Sequence, residues 1–396
     1  MISVVIPARN DGKSLKTILT AINSQTLLPK EIVIVDSSSN DALKRLVEKH
    51  QSTVPVVYHY ERKAYPGRAR NSGANLVCGE WIAFLDTKTV PDREWLEKYQ
   101  HLIQVYQADL VFGVTQFDAV SPFQKVLRAA TYGRIGHHTV PGTLIRKEVF
   151  TDSGGFLEHV RMGEDIEWRE RLTRNRLNIH LPDEPVVTYH GLPDTFVSTL
   201  KKYVKSAYHT ARLNILRNVK DAYLSLALIL SAIILPKWNF LIGGWDTNPL
   251  FIPHITKIYL MALVSLLLIY QLVHYLFFRN VSQRLFSRTL QLIVLIFVTF
   301  AVFNWNAVIA GWMENAVLYI PHITKMYVGG VILASILFRG IFLPLKRKVG
   351  STYLLPFNWI KVGVLGLSLD LVKAPGYIVG AMLPLLRASR PGVGGD

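Results

Sequence analysis

Two carboxylates stand out by position. Asp36 closes the apolar run EIVIVD, and Asp86 closes WIAFLD. An acid directly after a buried strand is well placed for ligand chemistry, because parallel sheets bind their ligands outside the carboxyl ends of the strands. There it can accept hydrogen bonds, take up a proton or hold a hard cation. Asp36 has a second reading as a turn or helix cap beside Ser37. Further on, Glu164 and Asp165 stand side by side in GEDIEWRERL, followed by Arg169 and Arg171. Taken as residues alone, the acids suit the first turn of a helix, and the arginines suit its i,i+4 partners. His190 ends the strand-like run VVTYHG; a lone histidine in such a place is usually structural.

These side chains need a frame. Residues 2–7 (ISVVIP) form a short β-branched run that stops at a proline, as a buried strand does. A polar loop over 8–13 leads into the helical pattern Leu15, Ile18, Leu19, Ile22. The second strand ends at Asp36, and the serine-rich turn 37–41 caps another helix. Residues 54–60 read as a third strand and 81–86 as a fourth, with the segment 68–74 between them. Alternation of this kind implies a parallel sheet whose carboxyl edge carries both Asp36 and Asp86.

The series SVVIPARND, EIVIVDSSSND, GRARNSGA, WIAFLDTKTVPD, GTLIRKEVFTDSGGF and GEDIEWRERL resembles, in order, the blocks of family 2 glycosyltransferases. The resemblance implies an α/β GT-A domain, Rossmann-like with a mostly parallel sheet. Its expected activity is transfer of a sugar from a nucleotide-diphosphate donor, usually with inversion and generally with a divalent metal (Mg²⁺ or Mn²⁺). By the same resemblance Asp36 binds the base and ribose, Pro7, Arg9 and Asp11 line that pocket, and Arg70 and Asn71 pack near the donor. Arg70 also reads as a solvated charge at a helix start.

Asp86 matches the first carboxylate of the family's Asp-X-Asp metal motif, but Lys88 stands where the second is expected. Three alternatives stay open. Asp86 holds a metal with other groups such as His190, or the Lys88 ammonium neutralises the diphosphate directly, or Lys88 points to solvent. Asp165 matches the general base that deprotonates the acceptor hydroxyl, with Glu164 as its helper. Arg169, Arg171 and His190 are candidates for phosphate on the donor or on a lipid acceptor. A transport or scaffold protein with a weakened transferase domain is the alternative, with Lys88 as the lesion.

Composition points the rest of the chain at a membrane. Half of the 396 residues are hydrophobic, 18% are charged, and the mean hydropathy is +0.25. Up to about Asp221 charged and apolar residues alternate at short range; beyond it long apolar runs dominate. The net charge of +16 fits basic flanks of membrane helices better than nucleic acid, for which no motif is present. One cysteine, Cys78, excludes an intrachain disulfide and a multi-cysteine metal site. Met1 leads at once into an apolar strand, so domain 1–192 is expected to face the cytoplasm.

Segment 193–221 reads as an interfacial amphipathic helix, with Phe196, Leu200, Tyr203, Val204, Ala207 and Leu213 among Lys201, Lys202, Lys205, Arg212 and Arg217. Domain 222–396 reads as an all-α transmembrane bundle crossing at 222–235, 258–278, 290–310 and 326–345. The first stretch is short unless it continues through Trp238. Arg279, Arg284, Arg288 and the basic residues 346–348 place their loops in the cytoplasm. The motif IPHITK occurs twice, within WNFLIGGWDTN…IPHITK and WNAVIAGWMEN…IPHITK, which implies a duplicated hairpin of about 222–280 and 290–348. Its Trp245, Trp312, His254 and His322 serve as interface anchors, or with Lys257 and Lys325 as a pseudo-symmetric pocket for a lipid phosphate or glycan. The tail 359–386 contains Asp370, Lys373 and Pro375 and reads as broken or re-entrant. A membrane-bound acceptor follows, either a polyprenyl phosphate or a nascent surface glycan.

Overall fold

A computed structural model describes residues 1–241, 250–253, 256, 258–265, 300, 304–305 and 323–388. Most of the expected crossings 258–278 and 290–310 lies outside the described residues. So do the loops carrying Arg279, Arg284 and Arg288, and the residues Trp245, His254, Lys257, Trp312 and His322. The chain divides into two compact units, one of Met1–Ile215 with Ile336–Gly376, the other of Leu216–Ser335 with Tyr377–Asp396.

The first unit is built on one sheet. Its strands are β1 (Ile2–Ala8), β2 (Glu31–Asp36), β3 (Val56–Tyr60), β4 (Trp81–Phe84), β5 (Thr89–Pro91), β6 (Leu110–Phe117), β7 (His137–Arg146), β8 (Ile179–His180) and β9 (Val187–Tyr189). They lie in the order β3-β2-β1-β4-β7-β6-β9-β5, with β8 beside β6. The block β3-β2-β1-β4 is parallel throughout, and β7 then joins β4 and β6 antiparallel. The runs read as buried strands are indeed buried on both faces: Val4, Val5, Ile6, Ile32, Val33, Ile34 and Val35 expose nothing. Continuous apolar strands of this kind require helices on both sides.

Those helices are α1 (Gly12–Asn23), α2 (Ala42–Lys49), α3 (Pro66–Leu76), α4 (Trp95–Tyr106), α5 (Pro122–Thr131), α6 (Lys147–Asp152), α7 (Glu164–Leu172) and α8 (Phe196–Ala211). The Asp11 side chain accepts from the Ser14 amide and caps α1, whose buried stripe is Leu15, Ile18, Leu19 and Ile22. On the opposite face α3 presses so close that a Cβ on Gly73 would stand 2.4 Å from Val5. Phe84, Phe112, Phe150, Phe156 and Trp168 close that side, with rings in tilted and edge-on contact.

Segment 193–221 is not one helix. α8 is started by a Thr195 capping box and stops at Ala211, and α9 (Arg217–Leu241) begins after Leu216, whose φ is +53°. α9 runs for 25 residues and covers the stretch 222–235 through Trp238. Further helices are α10 (Ile323–Leu337), α11 (Leu343–Lys346), joined to it by the π-turn Phe338–Phe342, α12 (Ser351–Leu354) and α13 (Asn358–Ala388). Among the described residues two helical stretches are long and apolar enough to cross a membrane, Met326–Lys346 and Asn358–Leu383.

The second stretch corrects the reading of the tail as broken. α13 runs unbroken for 31 residues. Its one acid does not interrupt it, because Arg339 and Lys373 each bond Asp370 at 2.9 Å. Pro375 lacks one backbone donor, and the helix continues past it.

Candidate active site

The site forms where three separated segments meet at the carboxyl edge of the parallel block. Pro66 opens α3 at a position where the missing amide hydrogen costs nothing. One turn on, Arg70 points into the domain and is 4% exposed. Its Nη2 donates to Asp86 Oδ1 at 2.7 Å, and its Nη1 donates to Glu164 Oε1 at 3.0 Å. Asp86 lies two residues past the end of β4, in a turn closed by the Thr89 hydroxyl on the Asp86 carbonyl. Glu164 is the first residue of α7, entered through Gly163 at φ +94°. A side chain on Gly163 would also meet Thr210, Leu213 and Ile215 at 3.0–3.1 Å. Asp165 follows, exposed, with both acids in the first turn where the helix dipole favours negative charge.

The electrostatics of this group are unequal. Burial alone would lower the Arg70 pKa, yet Asp86 and Glu164 outweigh it and hold the guanidinium firmly charged. Glu164 is raised to about 7, chiefly by burial. Arg70 opposes that shift but is shared with Asp86, to which it makes the shorter bond, while the neighbouring charge of Asp165 raises Glu164 further. Arg70 is therefore no solvated helix-start charge. It is the joint between two carboxylates, and its Nε is buried with no hydrogen-bond partner.

The other expected residues have definite places. Asp36 is wholly buried; it accepts from the Ser38 amide at 2.8 Å and from the Tyr58 hydroxyl at 2.7 Å. Burial and the Asp36 carboxylate both push the Tyr58 hydroxyl well above its ordinary pKa. One strand, β1, separates Asp36 from Asp86, which puts them about 10 Å apart across the sheet. Pro7 is half-buried on β1, and Arg9 is exposed just beyond it. Asp11 serves as the α1 cap. Asn71 holds the glycine loop: its amide donates to the Phe156 carbonyl and to Glu158, and its oxygen accepts from the Phe156 amide.

Arg169 donates to the His138 carbonyl at 2.5 Å. Arg171 pairs with Glu167 four residues back and also donates to the Ser153 and Gly155 carbonyls, so its guanidinium is spent on the protein's own loop. Among the described residues His190 pairs with Asp118 and not with Asp86. Its Nδ1 lies 3.2 Å from Asp118 Oδ2, and its amide donates to the Lys88 carbonyl.

Divalent ions of the kind that GT-A domains hold take oxygen ligands, several of them anionic. Among the described residues no group of three or more His, Cys, Asp or Glu side chains is placed to hold a metal. Asp86 is tied to Arg70, and an exposed lysine, Lys88, occupies the second motif position. As arranged, this donor set does not fit such an ion.

Several contributors escaped sequence reasoning. Phe117 stacks on Tyr132 at 3.6 Å and contacts Tyr189 at 5.3 Å. Burial raises the hydroxyl pKa of both tyrosines; Asp165 adds to the shift at Tyr132, and Tyr132 and Asp86 add to it at Tyr189. Lys202 of α8, counted with the headgroup-facing lysines, instead holds its ammonium 5.7 Å from the centre of the Tyr189 ring. No spacing in the sequence pairs position 189 with position 202.

An α/β sheet of this order, with an acid at the end of β4 and a Glu-Asp pair opening α7, defines a GT-A domain. Residues 3–161, the larger part of this amino-terminal domain, match the model of glycosyl transferase family 2. Curated relatives include the glycosyltransferase AglE of Haloferax volcanii, 28% identical over 43% of this chain and 61% of its own length. Another is the pre-mycofactocin glycosyltransferase of Mycobacterium tuberculosis, 27% identical over 42% of this chain and 38% of that protein. The chain thus spans less than two thirds of either. Among solved structures, S. aureus TarS 1–349 in complex with UDP-GlcNAc aligns with 54% of this chain and 67% of its own at 20% identity, TM-score 0.41.

Proposed function

We propose that this chain is a membrane-bound inverting glycosyltransferase that moves a sugar from a nucleotide-diphosphate donor to a lipid-linked or otherwise membrane-associated acceptor. The observation that carries the reading is the Arg70 bridge, because it draws the β4 acid and the α7 acids into one group at the sheet edge where α/β folds bind ligands. Asp165 is the exposed acid of that group and takes the part of general base. It accepts the proton of the acceptor hydroxyl as that oxygen bonds to the anomeric carbon. The bond from that carbon to the diphosphate oxygen breaks, and its electron pair leaves with the nucleoside diphosphate. Glu164, held by Arg70, keeps the start of α7 and hence Asp165 in place. Asp36, with Pro7, Arg9 and Asp11, takes the nucleoside side of the pocket. The two apolar helices of spanning length support a membrane setting. The basic residues 346–348 are the reason for putting the catalytic domain on the cytoplasmic side.

The test is incubation of membranes containing the full chain with a panel of labelled nucleotide sugars, followed by extraction into organic solvent. One donor is expected to label the lipid extract, and Asp165→Asn to abolish the label with the protein still membrane-inserted. Unchanged labelling in Asp165→Asn removes Asp165 as the base, and the absence of label from every donor favours the scaffold alternative.

A further inference from the structure

Two cations converge on the segment 189–191, which runs on from the end of β9. Lys88 lies with its stem against Gly191, where an added Cβ would come within 2.6 Å of Lys88 Cδ. Its carbonyl accepts the His190 amide at 2.9 Å, which fixes the backbone of the Asp86 turn to the same hook. Lys202 reaches the hook from α8, over the Tyr189 ring. The Tyr189 hydroxyl donates to the Gly191 carbonyl at 3.0 Å, so the ring beneath Lys202 is held in place. Among the described residues neither lysine has a carboxylate partner.

This arrangement is unfavourable as it stands. Lys202 is held below the ordinary lysine range, first by burial and then by repulsion from Lys88. Long cationic side chains normally reach for water or an acid. Two that converge instead set two positive charges at the end of the sheet, beside Asp86, whose carboxylate is already paired with Arg70. A polyanion relieves both the desolvation and the repulsion. The donor set also fails to fit a divalent ion at this place, so the charge that such an ion would supply must come from elsewhere.

We propose that Lys88 and Lys202 together form the diphosphate-binding site of this protein, receiving a nucleoside diphosphate as paired ammonium groups where related domains place a metal ion. The inference rests on the transferase reading above. It adds Lys202, which no family block contains, as a residue touching the leaving group, and it makes nucleotide binding independent of divalent cation. Lysine serves such a role as a point charge with three donors, and each charge-assisted bond to phosphate oxygen is among the stronger kinds. Gly191 belongs to the device, because any larger residue there displaces the Lys88 stem.

The test is calorimetric titration of the full chain, purified in detergent, with UDP, GDP, dTDP and CDP and with the uncharged nucleosides, in EDTA and in Mn²⁺. One diphosphate is expected to bind in EDTA within about threefold of its affinity in Mn²⁺, a difference under 1 kcal/mol. Lys88→Met and Lys202→Met should each weaken it about tenfold or more in EDTA, while leaving the nucleoside unaffected. Lys202→Arg, which keeps the charge, should retain most of the binding and shows that position 202 tolerates substitution. Lys88→Asp restores the second motif carboxylate and should make binding rise with Mn²⁺. A wild-type chain that binds a diphosphate only with Mn²⁺, or methionine variants that bind it unchanged, overturns the paired-lysine site and leaves the transferase reading standing. Failure of all four diphosphates with and without Mn²⁺ overturns both.

Discussion

Arg70 and Glu164, 94 residues apart in the chain, are joined by a buried 3.0 Å bond, and the other arm of the same guanidinium holds Asp86. Removing the arginine leaves two acids facing each other with their cation gone. Breaking a buried ion pair by deleting one partner costs about 3–5 kcal/mol, because the remaining charge is uncompensated. Arg70→Met is therefore expected to lower unfolding stability by that order in denaturant titration. The double variant Arg70→Met, Glu164→Gln should recover a large part of the loss; a double variant no better than the single one contradicts the account.

The pH response of stability follows from Glu164. Its native pKa, about 7, lies above the ordinary 4.5, so the folded chain holds the proton more tightly than the unfolded chain does. Stability from this group is full below the unfolded value and is lost as pH rises through the native value. Between about pH 4.5 and 7 the unfolding free energy should thus carry a downward slope that Glu164→Gln removes. The measurement is the denaturation midpoint of the two proteins across that window, and parallel curves would refute the assignment.

Trp168 anchors α7 beneath those acids. It is fully buried, with Phe84, Phe112, Phe150 and Phe156 around it, and its indole Nε1 finds no hydrogen-bond partner. Trp168→Ala should cost about 3–5 kcal/mol through the cavity it opens. Trp168→Phe should cost much less, since it also removes the unsatisfied donor. Equal losses in the two variants would show that the indole nitrogen is satisfied in solution.

How much of this was legible depended on how far apart the partners lie. The strands 2–7, 31–36 and 81–86 declare themselves, because parallel strands buried on both faces are continuous apolar runs, and the α1 stripe follows its period residue for residue. The acids at strand ends were readable for the same local reason. Arg70 was not: nothing in GRARNSGA tells a buried bridge from a solvated charge, since its partners are 16 and 94 positions away. The tail misled in the same manner. Asp370 looks like a helix breaker until Arg339, 31 residues earlier, is seen to neutralise it. Lys202 looked like one more basic residue of an interfacial stripe because its aromatic neighbour, Tyr189, comes from strand β9 and not from its own helix.

The stretch 336–376 of the first unit supplies a prediction of a different kind. α13 meets the π-turn and the end of α10 through two glycines. A Cβ on Gly340 would stand 2.2 Å from the Trp359 carbonyl oxygen, and one on Gly363 would stand 2.3 Å from that of Ile336. Both obstacles are backbone, which cannot rotate away as a side chain can. Small residues facing each other let two helices approach until their backbones touch, and this packing holds whether the surroundings are water or lipid. Gly363→Val should therefore separate the pair, loosening the Arg339–Asp370 contact that the crossing positions. Limited proteolysis is expected to cut the variant within 343–357 at rates well above wild type. Gly329→Val, at a helical glycine with open space around it, is the control and should behave as wild type. If Gly363→Val resists cleavage as wild type does, the close crossing does not hold this segment.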